Sequence, residues 1–313
     1  MSQRTPTSAP PRAPWNYTRF QQRFAPYLFV SPFFLLFAVF GLFPLLFSLF
    51  LAFHLWSPLD GVGNWKFVGF ENFQLALGPT DMFWKSLKNT VWIGLLSGIP
   101  QHLVALPLAF IIHHSLRRFQ GTFSTILFLP YITNAVAIAI VFATLYSERL
   151  GILNYLGGQL GLDPVRWLGD PNLVPYSVAA VVFWRYVGWN TVLYLSGLQA
   201  ISEDVYEAAT VDGANGWQKF WYITLPLLRP MMFYAFTLTI VGSMQLFEEP
   251  FMLLNDGGGS GGAGLTSAMH IFNTAFRDLD MGYASAMSWL LFLAIFTLSM
   301  LNNYLFSRDG GRR

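Results

Sequence analysis

The stretch EAATVDGANGWQKFWYITLP, residues 207–226, is the most polar long segment in the second half of an otherwise oily chain. Its local physics can be read outward from its ends. Ser202 can accept from the free N–H groups of a first helical turn. Glu203 and Asp204 follow where the helix dipole favours acids. Val205, Ala208, Ala209 and Asp212 recur at the spacing of one helical face. Asp212-Gly213 is a stop, because glycine accepts the left-handed conformation at a helix end. Asn215 can cap a second short helix running through Tyr222. Pro226 then falls near the first turn of another apolar run, where a missing N–H does no harm. The expectation is helix, tight turn, helix over about 202–222. The two consecutive alanines leave its backbone open to a close-fitting surface.

Around this segment the chain is built for lipid. It has 313 residues, 54% of them hydrophobic and only 11% charged, with mean hydropathy +0.46. Soluble domains carry about 25% charged residues. A formal charge of +2 gives no argument for nucleic acid. Cysteine is absent, which excludes disulfides, thiolate chemistry and cysteine-ligated zinc.

A membrane-crossing helix needs about 20 mostly apolar residues. Six runs meet that length, near Tyr27–His54, Leu87–Ile112, Thr122–Tyr146, Val174–Leu198, Leu227–Leu254 and Tyr283–Phe306. In lipid their backbone groups must be paired within the segment, so the runs are expected to be helices. The fold class is therefore all-α, a polytopic membrane protein with six transmembrane helices. Pro32, Pro44, Pro100 and Pro107 fall inside or beside the runs and can mark kinks. Lys and Arg in the flanks set the orientation. Eleven lie on the side of both termini and of residues 202–222, and six on the other. Both termini are expected to be cytoplasmic. The expected organisation is a Pro- and Arg-rich tail over 1–26, a membrane domain over 27–306 and a second tail over 307–313.

The polar segment also carries a resemblance. Glu207-Ala208-Ala209 is followed after three residues by Gly213, then after nine more by Ile223, Leu225 and Pro226. This resembles the EAA motif of binding-protein-dependent ABC importer permeases. Asp212-Gly213-Ala214, Trp217, Phe220 and Pro230 are similar to the fuller form in the sugar-transport branch. So are Gly151-Ile152-Leu153-Asn154 and Met281-Gly282-Tyr283-Ala284-Ser285-Ala286. The resemblance implies the type I permease fold. It also implies that residues 202–222 form a coupling helix seated on an ATPase subunit. Glu207, Ala208, Ala209, Asp212, Gly213, Ile223, Leu225 and Pro226 are then the coupling residues. The implied partners are a second related permease, ABC ATPases, an extracytoplasmic solute-binding protein, a carbohydrate and membrane lipid. The implied place is the cytoplasmic membrane of a bacterial-type cell, and the implied mechanism is alternating access.

No P-loop occurs, so the chain is expected to bind no ATP; a partner would hydrolyse it. Residues 257–264 match glycine-rich patterns only by composition, and a mobile external loop is expected there. No catalytic constellation or metal site is expected. Arg185, Glu248 and Glu249 are ionisable residues placed within the runs, where charges face an interior or a wet cavity. At about 1.5 Å per residue, Arg185 is roughly 16 Å deep and Glu248 roughly 9 Å. A contact of Arg185 with Glu248 or Glu249 is therefore expected. It would either line a path or lock two spans together. Sugars are held by aromatic faces and amides, so Trp184, Trp189, Asn190 and Gln245 join Arg185, Glu248 and Glu249 as path candidates. A polyol or glycerol phosphate substrate is the alternative within the class. Outside it, an ion-coupled carrier or channel could use Glu248 and Glu249.

Overall fold

The computed structural model describes residues 17–61, 63–79, 82–255 and 257–307, with side chains described within 24–306. The expected tails therefore lie outside the described residues except for 17–26 and Ser307. Residues 17–26 are helical, the start of α1 (Tyr17–Phe37). A π-helical turn over Ala38–Leu42 joins it to α2 (Phe43–Ala52). Pro44 explains the wide turn. Proline removes one N–H and its ring crowds the preceding turn. The amide of Phe43 instead bonds back to the Ala38 carbonyl, one residue further than in an α-helix.

The described residues up to Phe50 form one compact unit and those from Leu51 onward another. The second unit opens with a minimal hairpin, β1 (His54–Leu55) against β2 (Lys66–Phe67), a small exception to the all-helical expectation. Helix α3 (Glu71–Ala76) follows. Then come α4 (Met82–Ser115), α5 (Gln120–Ile132), α6 (Ala135–Leu145), α7 (Ile152–Gln159) and α8 (Val174–Leu198). The polar segment gives α9 (Glu203–Val211), α10 (Gly216–Lys219) and, after a π turn over Phe220–Thr224, α11 (Leu225–Leu227). The chain ends with α12 (Arg229–Met244), α13 (Glu248–Leu254), α14 (Ser267–Phe276) and α15 (Met281–Ser307).

Among the described residues, four helical stretches are long and apolar enough to cross a membrane: Phe24–Ala52, Met82–Ser115, Arg229–Leu254 and Met281–Phe306. The run expected as one span over Thr122–Tyr146 is broken. Arg117–Ile132 and Ala135–Leu145 meet at 88°, and they make a fifth crossing only if counted together. Asn134 causes the restart, since its side chain accepts from the Val136 amide and caps α6. Helix α8 has the length of a span, 25 residues, but Arg185, Asn190 and its tryptophans dilute its hydropathy. Burial explains the composition: α8 packs against α4 and α5, and over half of its residues are buried. A helix wrapped in protein has no need of a lipid-compatible surface. Pro100 and Pro107 sit inside α4 without interrupting it.

Close backbone approaches hold the bundle. A Cβ at Gly188 in α8 would lie 1.7 Å from the Leu127 carbonyl oxygen of α5. Gly94 and Gly98 of α4 face Ser243 and Thr239 of α12, each at 3.0 Å from an added Cβ. Two sequence signatures acquire roles in the same way. Gly282 of α15 meets the His54 carbonyl, where a Cβ would stand at 2.0 Å. Asn154 bonds the Glu148 and Val165 carbonyls through Nδ2 and accepts from the Val165 amide and Trp167 Nε1, so one side chain ties the whole 148–167 connection.

The glycine-rich stretch differs from the expected mobile loop. Ser260–Gly262 form a 3₁₀ turn. Lys85 Nζ donates to the Gly261 carbonyl, and Asn89 Nδ2 bonds the Gly262 and Leu265 carbonyls at 2.9 and 3.1 Å. A Cβ at Gly264 would meet Leu254 at 2.2 Å and Val174 at 2.8 Å. The glycines allow close packing here, where composition alone suggested slack.

Candidate functional site: an interior cavity and a polar joint

A cavity of about 230 Å³ lies beside the two helix breaks. Tyr131, just before the α5–α6 break, and Leu246, in the gap between α12 and α13, both line it. Helix α4 contributes Ser97 and Gln101, α8 contributes Tyr186, Trp189 and Asn190, and α12 contributes Thr239 and Ser243. The Trp189 ring stacks on Tyr131 with centroids 4.4 Å apart. Asn190 Nδ2 donates to Gln101 Oε1 at 3.0 Å, while Asn190 Oδ1 is buried without a partner. The wall therefore combines a flat aromatic face with amides and hydroxyls. That combination suits a ligand with alternating apolar faces and hydroxyl edges.

Of the path candidates, Trp189 and Asn190 line this cavity. Trp184 does not: it is 43% exposed and its ring packs edge-on against Phe142 of α6. Three to four residues per turn separate the faces of 184 and 189 on one helix. Gln245 is exposed and lines a different, apolar groove with Phe247, Phe272 and Phe276. Ser97, Gln101, Tyr131, Tyr186, Thr239 and Ser243 were not anticipated. The polar pair Ser97 and Gln101, four apart in an apolar run, was the available signal.

Arg185 contacts both acids. Its Nη1 stands 2.6 Å from Glu249 Oε1 and 3.4 Å from Glu248 Oε2. Arg185 and Glu249 are buried, whereas the Glu248 side chain is 63% exposed. The guanidinium also lies 5.5 Å from the centroid of Tyr186, a cavity residue. The acids open the short helix α13, which starts only because the chain breaks after Met244. The cluster joins α8 to α13 behind the cavity wall.

The polar segment is a second, separate feature. Ser202 caps α9 by accepting from the Asp204 amide. The helix ends with Gly213 at φ +81°. Ala214 N–H bonds the Ala209 carbonyl and Gly213 N–H bonds the Thr210 carbonyl, the paired geometry of a glycine stop. Asn215 and Gln218 exchange side-chain and backbone bonds in a capping box. The second helix does not end at Tyr222. It widens into the π turn and continues through α11, and Pro226 again lies two residues past that turn, as Pro44 does in the first unit. Tyr206 and Ala209 are buried, so they do not share the open face expected for Ala208. The Tyr206 hydroxyl pairs with Thr224 Oγ1 at 3.0 Å. Burial raises its phenol pKa, with the Thr224 bond pulling the other way. Lys219 Nζ donates to Thr210 Oγ1, and Arg117 pairs with Glu203 at 2.5 Å. Tyr206–Thr224 thus pins the segment on its buried side, and the other two contacts tie it at the surface. Glu207, Ala208, Asp212, Gly213 and Pro226 remain exposed, Ile223 and Leu225 half-buried. Val211, Trp217 and Tyr222 project from it, at 88%, 68% and 78% exposure.

Long apolar helices, two of them broken around a polar interior cavity, define a polytopic membrane protein of the transporter type. The chain belongs to the family of binding-protein-dependent transport system inner membrane components, whose model matches residues 104–309. It is 32% identical over 298 residues to the arabinooligosaccharides transport system permease protein AraP of Bacillus subtilis (strain 168), covering 94% of this chain and 92% of that one. It is 33% identical to the lactose transport system permease protein LacF of Rhizobium radiobacter, over 89% of this chain and 92% of that one. In fold it matches a chain of the bacterial alginate ABC transporter solved in complex with an alginate pentasaccharide-bound periplasmic protein. The TM-score is 0.80 at 22% identity, covering 95% of this chain and 98% of that chain.

Proposed function

We propose that this chain is a permease subunit of an ABC importer that carries a carbohydrate inward across the cytoplasmic membrane by alternating access. The observation that carries the reading is the polar joint. It is braced on its inner side by the buried Tyr206–Thr224 bond and tied at the surface by Arg117–Glu203, and it turns small and aromatic residues outward. Such a surface fits a protein partner. In this reading the partner is the ATPase, and Glu207, Ala208, Ala209, Asp212, Gly213, Ile223, Leu225 and Pro226 form or support the contact. ATP is bound and hydrolysed there, not on this chain.

The sugar assignment is supported by the relatives' names and by the cavity's aromatic and amide lining. In this account Trp189 and Asn190 contact the sugar, with Gln101 and Tyr131 beside them. In this reading the chain crosses six times, with α5 plus α6 as one span and α8 as another, so both termini share a side; the basic flanks support the cytoplasmic side. A second permease would close the path from the other side, and an external binding protein would deliver the sugar.

The test is uptake of a labelled arabino-oligosaccharide or lactose by inside-out and right-side-out vesicles carrying the assembled transporter. ATP-dependent accumulation that Trp189→Ala reduces, with the subunits still assembled, supports the reading. ATP-independent uptake driven by a proton gradient would contradict it and favour an ion-coupled carrier.

A further inference from the structure

Charge around the cavity is distributed in a way that bears on which saccharides can pass; the argument rests on the cavity being the sugar site proposed above. No Lys, Arg, His, Asp or Glu lines the cavity among the described residues. Arg185 precedes the cavity residue Tyr186 and lies against its ring. An isolated arginine there would attract a carboxylate or phosphate substrate. Here its Nη1 is already engaged by Glu249 at 2.6 Å and Glu248 at 3.4 Å. One cation with two carboxylates leaves a net negative charge. The excess sits on the exposed member, Glu248, since Arg185 and Glu249 are buried together.

We propose that the Arg185–Glu248–Glu249 cluster makes this path selective for uncharged saccharides, with Glu248 the residue that rejects acidic ones. The buried pair cancels itself. Glu248 then supplies a fixed negative charge near a wall that offers an incoming anion no compensating cation. A neutral sugar meets only hydroxyls, amides and the Trp189–Tyr131 face. A uronate or sugar phosphate must approach unpaired, next to a like charge. Specificity of this kind comes from a repulsive element as much as from attractive contacts. A fold relative involved in the import of the acidic polysaccharide alginate shows that the architecture itself imposes no such choice.

The experiment is saturation-transfer NMR on the full transporter complex without its binding protein, using galactobiose and digalacturonate as probes of similar size, one neutral and one anionic. The expected result is transfer to galactobiose, lost in Trp189→Ala, and binding of digalacturonate weaker by roughly tenfold. Glu248→Gln removes the excess charge while keeping the side chain's shape, and it should narrow that ratio severalfold. Equal binding of the two probes to the wild type overturns the charge selection but leaves the cavity as the sugar site. An unchanged ratio in Glu248→Gln overturns the assignment to this cluster. Failure of both probes to bind, or binding indifferent to Trp189→Ala, overturns the cavity reading and the inference with it.

Discussion

Arg185 Nη1 stands 2.6 Å from Glu249 Oε1, and this one contact ties helix α8 to the short helix α13 across a break in the chain. Both partners are buried, so the pair is best understood through what its loss would leave behind. Removing one member strands an uncompensated charge, which costs about 3–5 kcal/mol. Glu249→Ala is therefore expected to lower the thermal midpoint of the detergent-solubilised protein markedly. Glu248→Gln, at an exposed carboxylate, should change it by less than about 1 kcal/mol. A thermal-shift series separates the two acids.

Gly188 permits a close backbone approach between α5 and α8. With a Cβ built 1.7 Å from the Leu127 oxygen, Gly188→Ala cannot be absorbed by turning a side chain. The helices must separate, at a cost of about 1–3 kcal/mol or more. The cavity residues Tyr131 and Trp189 lie on the same two helices. The substitution should thus reduce both stability and sugar uptake, while Gly121→Ala, in open space on α5, should reduce neither. Melting curves and vesicle uptake check this.

Asn154 makes four hydrogen bonds that hold the 148–167 connection. Asn154→Ala leaves the partly buried Val165 amide and Trp167 indole unpaired, for about 1–3 kcal/mol. The expected readouts are faster proteolysis within residues 147–170 and a shifted indole signal from Trp167. Subunit assembly through the distant 202–222 segment should be unaffected.

Gly213 holds φ +81° at the end of α9, with nothing within 4 Å of an added Cβ. Its constraint is conformational. Gly213→Ala is expected to cost about 1 kcal/mol and Gly213→Val more, because a β-branched residue resists positive φ. Under the proposed coupling role, ATP-driven uptake should fall in the same order, with sugar binding in the cavity unchanged. Uptake and NMR binding on the same variants check both halves.

The long helices were legible in the sequence because lipid leaves a chain few alternatives to long apolar runs. The caps at Ser202 and Asn215 and the stop at Gly213 were legible for a related reason: they are local hydrogen-bond arrangements. The helix breaks were harder to read. The run through 122–146 is apolar on both sides of Asn134, so only a single capping residue marks an 88° bend. Glycine content at 257–264 suggests slack, whereas their partners Val174, Lys85 and Asn89 come from helices remote in sequence. Trp184 and Trp189 looked alike by type. Only the packing of α8 decided that one meets Phe142 and the other the cavity.

The central claim is that residues 202–222 form the joint to an ATPase. The chain has no cysteine, so a single Ala208→Cys is a unique thiol on the exposed face of α9. Thiol cross-linking in native membranes, followed by identification of the adduct, tests the claim most directly. The account predicts a cross-link to an ABC ATPase subunit whose yield changes when nucleotide is added, and none from Thr144→Cys on α6. A correctly assembled protein whose residue 208 labels freely with a soluble maleimide and never captures an ATPase would contradict it.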